Sequence, residues 1–230
     1  MSDTGRAVVI GASRGIGLGL AGEFLTRGWQ VTATAREGAD NEALKALGER
    51  HGDRLAIRSV ELADLSGVEQ LADHAPIDAL VIVAGIMGPS HQRAEQATPA
   101  ELGALFWTNA AAPIALARRL LSAVRRGGSV VFISSRMGSV TLNEEGDREL
   151  YRASKAALNS LSRGLACHEA RAAGVGVLNL HPGWVKTDMG GDDAPVTVEQ
   201  SASGIVDVVS AHFNNPGQRF LDYTGAPLAW

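Results

Sequence analysis

Val8-Val-Ile-Gly11-Ala-Ser-Arg-Gly15-Ile-Gly17-Leu-Gly-Leu20 decides the fold of this chain. An apolar, β-branched run ends at a glycine cluster, and the cluster opens into a segment with helical spacing. Strand, glycine turn and helix in that order make the first half of a βαβ unit. Glycines let the backbone turn sharply and approach a pyrophosphate, whose charge then rests on the N-terminus of the following helix. The spacing is Gly-x-x-x-Gly-x-Gly rather than Gly-x-Gly-x-x-Gly, so the pattern alone leaves a purely structural turn open.

Outward from that stretch, short apolar runs alternate with longer helical patterns. The runs predict strands at Arg6–Ile10, Gln30–Ala35, Arg54–Val60, Ile77–Val83, Gly128–Ile133, Val175–His181 and Gln218–Leu221. Helices are predicted near 15–28, 40–51, 66–74, 98–125, 151–173 and 198–213. Strands rich in Val, Ile and Leu separated by helices mean a parallel sheet covered on both faces. Thr98-Pro-Ala-Glu101 and Thr197-Val-Glu-Gln200 mark two helix starts as capping boxes. With no repeat, low-complexity tract or linker, the expectation is one doubly wound α/β domain over residues 1–230, with a seven-stranded parallel sheet and helices on both faces. The long irregular stretch from Pro182 to Val196 suits a binding loop, and a substrate lid is expected around 187–200.

Composition narrows the function classes. The 230 residues suffice for a substantial core, and 45% apolar with 20% charged residues is ordinary for a soluble protein. A net charge of −4 argues against nucleic acid as a partner, because no basic surplus exists to neutralise phosphates. The first seven residues lack a charged-then-apolar pattern, and no apolar run approaches the ~20 residues of a membrane span. A cytoplasmic setting without membrane attachment is expected. Cys167, the only cysteine, lies in an Ala/Leu-rich helical segment and reads as a buried packing residue. The histidines show no metal-ligand spacing, His168 and His181 read as structural, and no metal is expected.

Tyr151 and Lys155 stand four residues apart in Tyr-Arg-Ala-Ser-Lys, which places phenol and ammonium on one helical face. A phenol has a pKa of about 10, and a lysine beside it favours the phenolate, easing proton transfer. Such pairs arise by chance; downstream of a dinucleotide turn, this one suggests a redox enzyme with tyrosine as acid/base. An NAD enzyme would place an acid after the second strand for the ribose hydroxyls. Here Ala35-Arg36 stands there, and Arg14 lies in the glycine turn. Two guanidiniums suit a 2′-phosphate, so NADP(H) is expected over NAD(H). Two solvated surface arginines are the alternative.

On these residues the chain resembles the short-chain dehydrogenase/reductase family over nearly its whole length. The landmarks are Gly11/Gly15/Gly17, Ala84-Gly85, Asn109, Ser134-Ser135, Tyr151/Lys155, and Pro182-Gly183 followed by Thr187. Ser134-Ser-Arg-Met-Gly-Ser-Val140 and His181-Pro-Gly-Trp-Val-Lys-Thr-Asp-Met-Gly-Gly191 look like its C-factor-like carbonyl-reductase branch. The resemblance implies a Rossmann-type fold and a Tyr151 that is general acid in reduction and base in oxidation. It implies that Lys155 lowers the phenol's pKa and holds the nicotinamide ribose, that Ser135 donates to the substrate carbonyl, and that Asn109 supports a proton path to the lysine. Bland readings of the last two are a strand-end cap for Ser135 and a helix-kink residue for Asn109.

Cofactor contacts are implied at Gly11, Ser13, Arg14, Gly15, Ile16, Gly17, Arg36, Leu62, Ala84, Gly85, Tyr151, Lys155, Pro182, Gly183, Val185 and Thr187. Met87, Met137, Trp184 and Met189, with Ile86, would line an apolar substrate pocket, with ordinary core or lid packing as the equal alternative. Three departures from the family stand out. The gap between Ser135 and Tyr151 is longer than usual, and its polar Asn143–Arg148 stretch suggests an outward loop. Ile82-Val83 replaces two asparagines that brace the central sheet, and the acid after the third strand is Glu61 or Asp64. The implied function is an NADP(H)-dependent carbonyl reductase or alcohol dehydrogenase acting on small to medium apolar ketones or aldehydes. A nucleotide-sensing signalling or scaffold protein is the alternative. A homo-oligomer, dimer or tetramer, is expected through helices 98–125 and 151–173.

Overall fold

Arg6–Ile10 is buried at every position, because this first strand (β1) is flanked on both sides by others. The computed structural model describes residues 4–72 and 76–230. Its further strands are β2 (Gln30–Ala35), β3 (Leu55–Ser59), β4 (Ile77–Ile82), β5 (Val124–Ile133), β6 (Gly176–His181) and β7 (Gly217–Asp222). They form one seven-stranded sheet in the order β3-β2-β1-β4-β5-β6-β7, parallel throughout. The helices are α1 (Gly15–Thr26), α2 (Glu42–His51), α3 (Pro99–Phe106), α4 (Ala112–Leu120), α5 (Glu149–Leu165), α6 (Arg171–Ala173) and α7 (Val198–Ala211).

Strand alternation sorts the core into two layers. Val9, Val31, Val81 and Val131 face Leu20, Phe24, Leu44 and Ile205 of α1, α2 and α7. Val8, Ile10, Leu80 and Phe132 face Leu116, Leu120, Leu158 and Leu165 of α4 and α5. This is a Rossmann-type α/β fold with both sheet faces covered. The strand order reverses between β1 and β4, and a crevice at the carboxyl ends of the strands is where such sheets bind ligands.

Several elements differ from the sequence reading. Of the helix expected over 66–74, residues 73 and 74 lie outside the described residues. The rest holds only a 3-10 turn at Glu69–Leu71, because left-handed residues at Leu65 (φ 61) and Gly67 (φ 78) turn the chain first. The helix expected over 98–125 is α3, a π turn at Trp107–Ala111, α4 and a 3-10 turn at Leu121–Ala123. β5 starts at Val124 rather than Gly128, since Val124 pairs with Ile77 before the register shifts. Cys167 is exposed, against expectation. Leu165, Ala166 and Ala170 take the inward positions around a π turn at Ala166–Ala170, which leaves the cysteine outside. Both capping boxes form as read. Residues 197–200, assigned to the lid, belong to the capped start of α7. The loop before them is closed at its base by Lys186 N–H to the Val196 carbonyl (2.9 Å) and Val196 N–H to the Trp184 carbonyl (3.1 Å). Among the described residues no helix is long and apolar enough to cross a membrane.

Candidate active site

The glycine turn is built where β1 meets α1. Gly11 has φ +84, a conformation that other residues resist, and its N–H donates to Thr34 Oγ1 at 3.1 Å. Ala12 N–H donates to the Thr34 carbonyl at 2.7 Å, so β2 holds the turn. A Cβ on Gly17 would stand 2.1 Å from the Gly11 carbonyl oxygen, which makes glycine obligatory there. Arg14, the N-cap of α1, makes no side-chain cap bond, and the first turn carries no acidic residue. The first N–H groups of α1 therefore receive no N-cap side chain. Ser13 and Ile16 lie within the same turn.

Arg14 does more than face solvent. Its Nη1 donates to Asp188 Oδ2 at 2.5 Å and so joins the turn to the loop after β6. A Cβ on Gly15 would lie 3.4 Å from Thr187 Cγ2, which places the same two segments face to face. Lys186, Thr187, Asp188, Gly191 and Asp192 line an open hollow of ≈ 410 Å³ there. Arg36 is exposed beyond the end of β2. The Leu62 carbonyl accepts Trp107 Nε1–H at 2.9 Å. The carboxylates of Glu61 and Asp64 accept from Ala63 N–H (3.1 Å) and Ser66 N–H (2.9 Å), each closing its own turn. In place of the family's bracing asparagines, Val83 packs on the core and its N–H donates to the Ile10 carbonyl at 3.0 Å.

Four side chains named from the sequence converge at the carboxyl ends of β4 and β5. Buried Asn109 projects from the π turn between α3 and α4. Its Oδ1 accepts Ile86 N–H (2.8 Å), and its Nδ2 donates to the Ile86 carbonyl (2.8 Å) and to Ser154 Oγ (2.9 Å). Lys155 Nζ donates to the Ile133 carbonyl at 3.1 Å and lies 5.8 Å from the Tyr151 ring centroid. A Cβ on Gly85 would sit 3.3 Å from that Nζ and 3.5 Å from Asn109 Oδ1. Ser135 stands close enough to the Tyr151 phenol to lower its pKa, and its Oγ accepts Met137 N–H at 3.1 Å. The bland readings are both met: Ser135 caps the turn after β5, and Asn109 sits in a helix irregularity.

Burial governs the protonation of the pair. It pushes the Tyr151 phenol up to about 12, against the lowering by Ser135 and by the charge of Arg148. It pushes Lys155 down to about 8. Both shifts favour the neutral form, so here desolvation outweighs the lowering of the phenol expected from the lysine. His181, at the end of β6, is pushed down to about 4 by burial and then by Arg136, with Asp222 opposing. Its Nδ1 has no hydrogen-bond partner among the described residues.

The proposed pocket residues are less enclosed. Met87 and Met137 are half-buried, whereas Ile86, Trp184 and Met189 are 39%, 55% and 46% exposed. Trp184 Nε1–H donates to the Gly190 carbonyl at 2.7 Å, so the indole folds over its own loop. The stretch between Ser135 and Tyr151 is an outward loop, as its polarity predicts, anchored by buried Arg152 to Glu145 (3.0 Å) and Asp147 (2.6 Å). Two residues escaped the sequence reading. Ser154 donates to the Tyr151 carbonyl at 2.7 Å; a serine inside the helix, next to the lysine, was the available signal. Gln92 accepts the Tyr151 N–H at 3.0 Å from 59 residues away, a contact with no local signature.

Comparison with known proteins agrees with this geometry. A sequence profile for short chain dehydrogenase matches residues 6–197. The C-signal protein of Myxococcus xanthus is 35% identical over 157 residues, covering 67% of this chain and 93% of that protein. A carbonyl reductase from Pseudomonas aeruginosa PAO1, solved in complex with NADP, is 44% identical and superposes with a TM-score of 0.92, covering 99% of this chain and 100% of that one. A short-chain dehydrogenase/reductase from Burkholderia multivorans with bound NADP is 36% identical with a TM-score of 0.93, covering 98% and 99% of the two chains.

Proposed function

The chain belongs to the short-chain dehydrogenase family, and on that premise we propose that it is an NADP(H)-dependent carbonyl reductase or alcohol dehydrogenase acting on small apolar ketones, aldehydes or alcohols. The observation that carries the reading is the convergence of Ser135, Tyr151, Lys155 and Asn109 beside Gly85. The glycine turn fits a dinucleotide: its close approach at Gly17 and the uncapped start of α1 suit a pyrophosphate. Arg14 and Arg36 would hold the 2′-phosphate, and Thr187 and Val185 the nicotinamide end. When bound, the cofactor supplies or accepts the hydride.

The chain's own residues handle the proton. The phenol of Tyr151 gives its proton to the carbonyl oxygen as negative charge builds there, and Ser135 donates a hydrogen bond to the same oxygen. A neutral phenol at rest, which burial favours, is the form an acid needs. Lys155 offsets the charge left on the phenolate and hands it a proton, and one proton from solvent then restores the lysine along the path that Asn109 and the Ile86 backbone support. In oxidation each transfer reverses. Exposed Trp107 (40%) and Leu161 (44%), on the segments expected to pair between subunits, support a homo-oligomer.

The test is loss of NADPH absorbance against a panel of aromatic and aliphatic ketones and aldehydes, with NADH in parallel. Turnover with NADPH well above NADH is expected; turnover with NADH alone would sink the 2′-phosphate assignment. The similarity to C-signal favours a second reading, a nucleotide-sensing signalling protein, which measurable NADPH binding without turnover of any carbonyl compound would support.

A further inference from the structure

We propose that Gln92 is a positioning residue: it replaces the missing N-cap of α5 and fastens the loop after β4 to the backbone of Tyr151. The inference rests on the acid/base reading of Tyr151 given above. The residue before α5, Arg148, has left-handed φ/ψ of 50 and 45 and makes no side-chain cap bond. The first N–H groups of that helix therefore lack the partners that an N-cap would supply. Tyr151 lies in this first turn, and its N–H donates to Gln92 Oε1 at 3.0 Å.

The other end of the same amide is fully used. Gln92 Nε2 donates to the Met87 carbonyl at 2.9 Å and to the Pro89 carbonyl at 2.7 Å. Gln92 itself has φ 55, which a non-glycine residue holds only where its surroundings demand it. Next to it, Ala94 N–H and Arg93 Nη1 donate to the Glu149 carboxylate at 3.2 and 3.1 Å, a second clasp on the same helical turn.

The Tyr151 peptide groups are thus gripped from both sides by side chains tied to one loop. Its carbonyl accepts from Ser154 Oγ, which in turn accepts from Asn109, and Asn109 holds Ile86. Its N–H meets Gln92, which holds Met87 and Pro89. Where the loop sits and where the phenol points are set together, so a substrate pressing on Ile86 or Met87 bears on the alignment of the acid.

Two variants separate the two ends of the clasp. Gln92→Met keeps the length and loses every bond. It should speed amide exchange in the first turn of α5 by roughly fivefold, the value of one hydrogen bond. It should also lower kcat by up to about 10²-fold, as a small misplacement of reacting groups does, with NADPH affinity held within twofold. Gln92→Glu keeps an acceptor for the Tyr151 N–H and loses the donors. Slow exchange and most of kcat should return, while KM for the carbonyl substrate is raised in both variants, because both lose the bonds to the Met87 and Pro89 carbonyls. Unchanged exchange at α5 in Gln92→Met, wild-type kcat in that variant, or loss of NADPH binding in parallel with kcat would each overturn the proposal. Failure of the enzymatic reading looks different: the wild type itself would turn over no carbonyl compound, and the exchange measurement would still decide whether Gln92 holds the helix.

Discussion

Arg14 and Asp188 form an ion pair of 2.5 Å between the glycine turn and the loop after β6, two segments 174 residues apart in sequence. Both side chains are more than three-quarters exposed, at 76% and 78%. An exposed pair of this kind contributes little, at most a few-fold in an equilibrium. A phosphate gripped by the guanidinium binds more strongly, through charge-assisted and bidentate bonds. A 2′-phosphate should therefore win Arg14 from Asp188, with the carboxylate as a competitor that weakens cofactor binding slightly.

Asp188→Asn should tighten NADPH by up to about fivefold, the upper value of an exposed ion pair, and leave NADH unchanged. Arg14→Ala should weaken NADPH and spare NADH. Cofactor fluorescence titrations measure both. Equal effects of either substitution on the two cofactors would show that Arg14 does not read the 2′-phosphate.

Removal of the phenolic hydroxyl tests the acid directly. Tyr151→Phe should cost about 10²–10⁴-fold in turnover, the usual worth of a positioned proton donor. NADPH affinity and the melting temperature should hardly move, because the ring keeps its packing. Ser135→Ala should cost about 10²–10³-fold, as loss of one donor to a developing oxyanion does. A Tyr151→Phe variant that retained a tenth of wild-type kcat would remove tyrosine from the mechanism.

The pH dependence follows from Lys155. With its pKa lowered to about 8 by burial, the lysine is charged below that value and neutral above it. Carbonyl reduction, which uses the charge to offset the phenolate, should fall as pH rises through about 8. In Lys155→Arg the guanidinium stays charged, so a slower enzyme with no limb in that range is expected. Stability has the opposite slope. Between about 8 and 10.5 the native lysine binds fewer protons than the unfolded one, so its contribution becomes more favourable as pH climbs through that window. A reduction profile flat to pH 10 would show that the ammonium is dispensable.

Features encoded locally were legible in the sequence, and features made by packing were not. β1, β2 and the start of α1 announce themselves through an apolar run and its glycines, and Tyr151 and Lys155 through a four-residue spacing. The π turn that aims Asn109 has no hydrophobic period of its own, so 98–125 reads as one helix. The sequence reading ends the helix at 125 and begins the strand at Gly128, although the pairing of Val124 with Ile77 brings β5 forward to Val124. Ala/Leu-rich surroundings suggest burial for Cys167, but only the helix's orientation on the sheet shows that the thiol points out. The pKa of Tyr151 belongs to the same class: spacing puts a lysine nearby, while the burial that dominates comes from the whole fold. Gln92 and Asp188 act across long separations that no single-sequence pattern records.

His181 supplies a prediction about the fold rather than the chemistry. Its imidazole is largely buried at the end of β6, with pKa lowered from 6.5 to about 4. The unfolded chain therefore binds a proton in this window that the native protein refuses. Stability from this group is fully present above pH 6.5 and is lost as pH falls through about 4. A shift of that size corresponds to a loss on the order of 3 kcal/mol at one site. Carboxylates titrate over part of the same range, so the informative quantity is the difference between wild type and His181→Gln, which keeps polarity without the titration. Urea denaturation at pH 7.5 and pH 4.5 should show the wild type losing more stability than the variant by that margin. Parallel losses in the two proteins would mean that His181 takes up its proton without opening the structure.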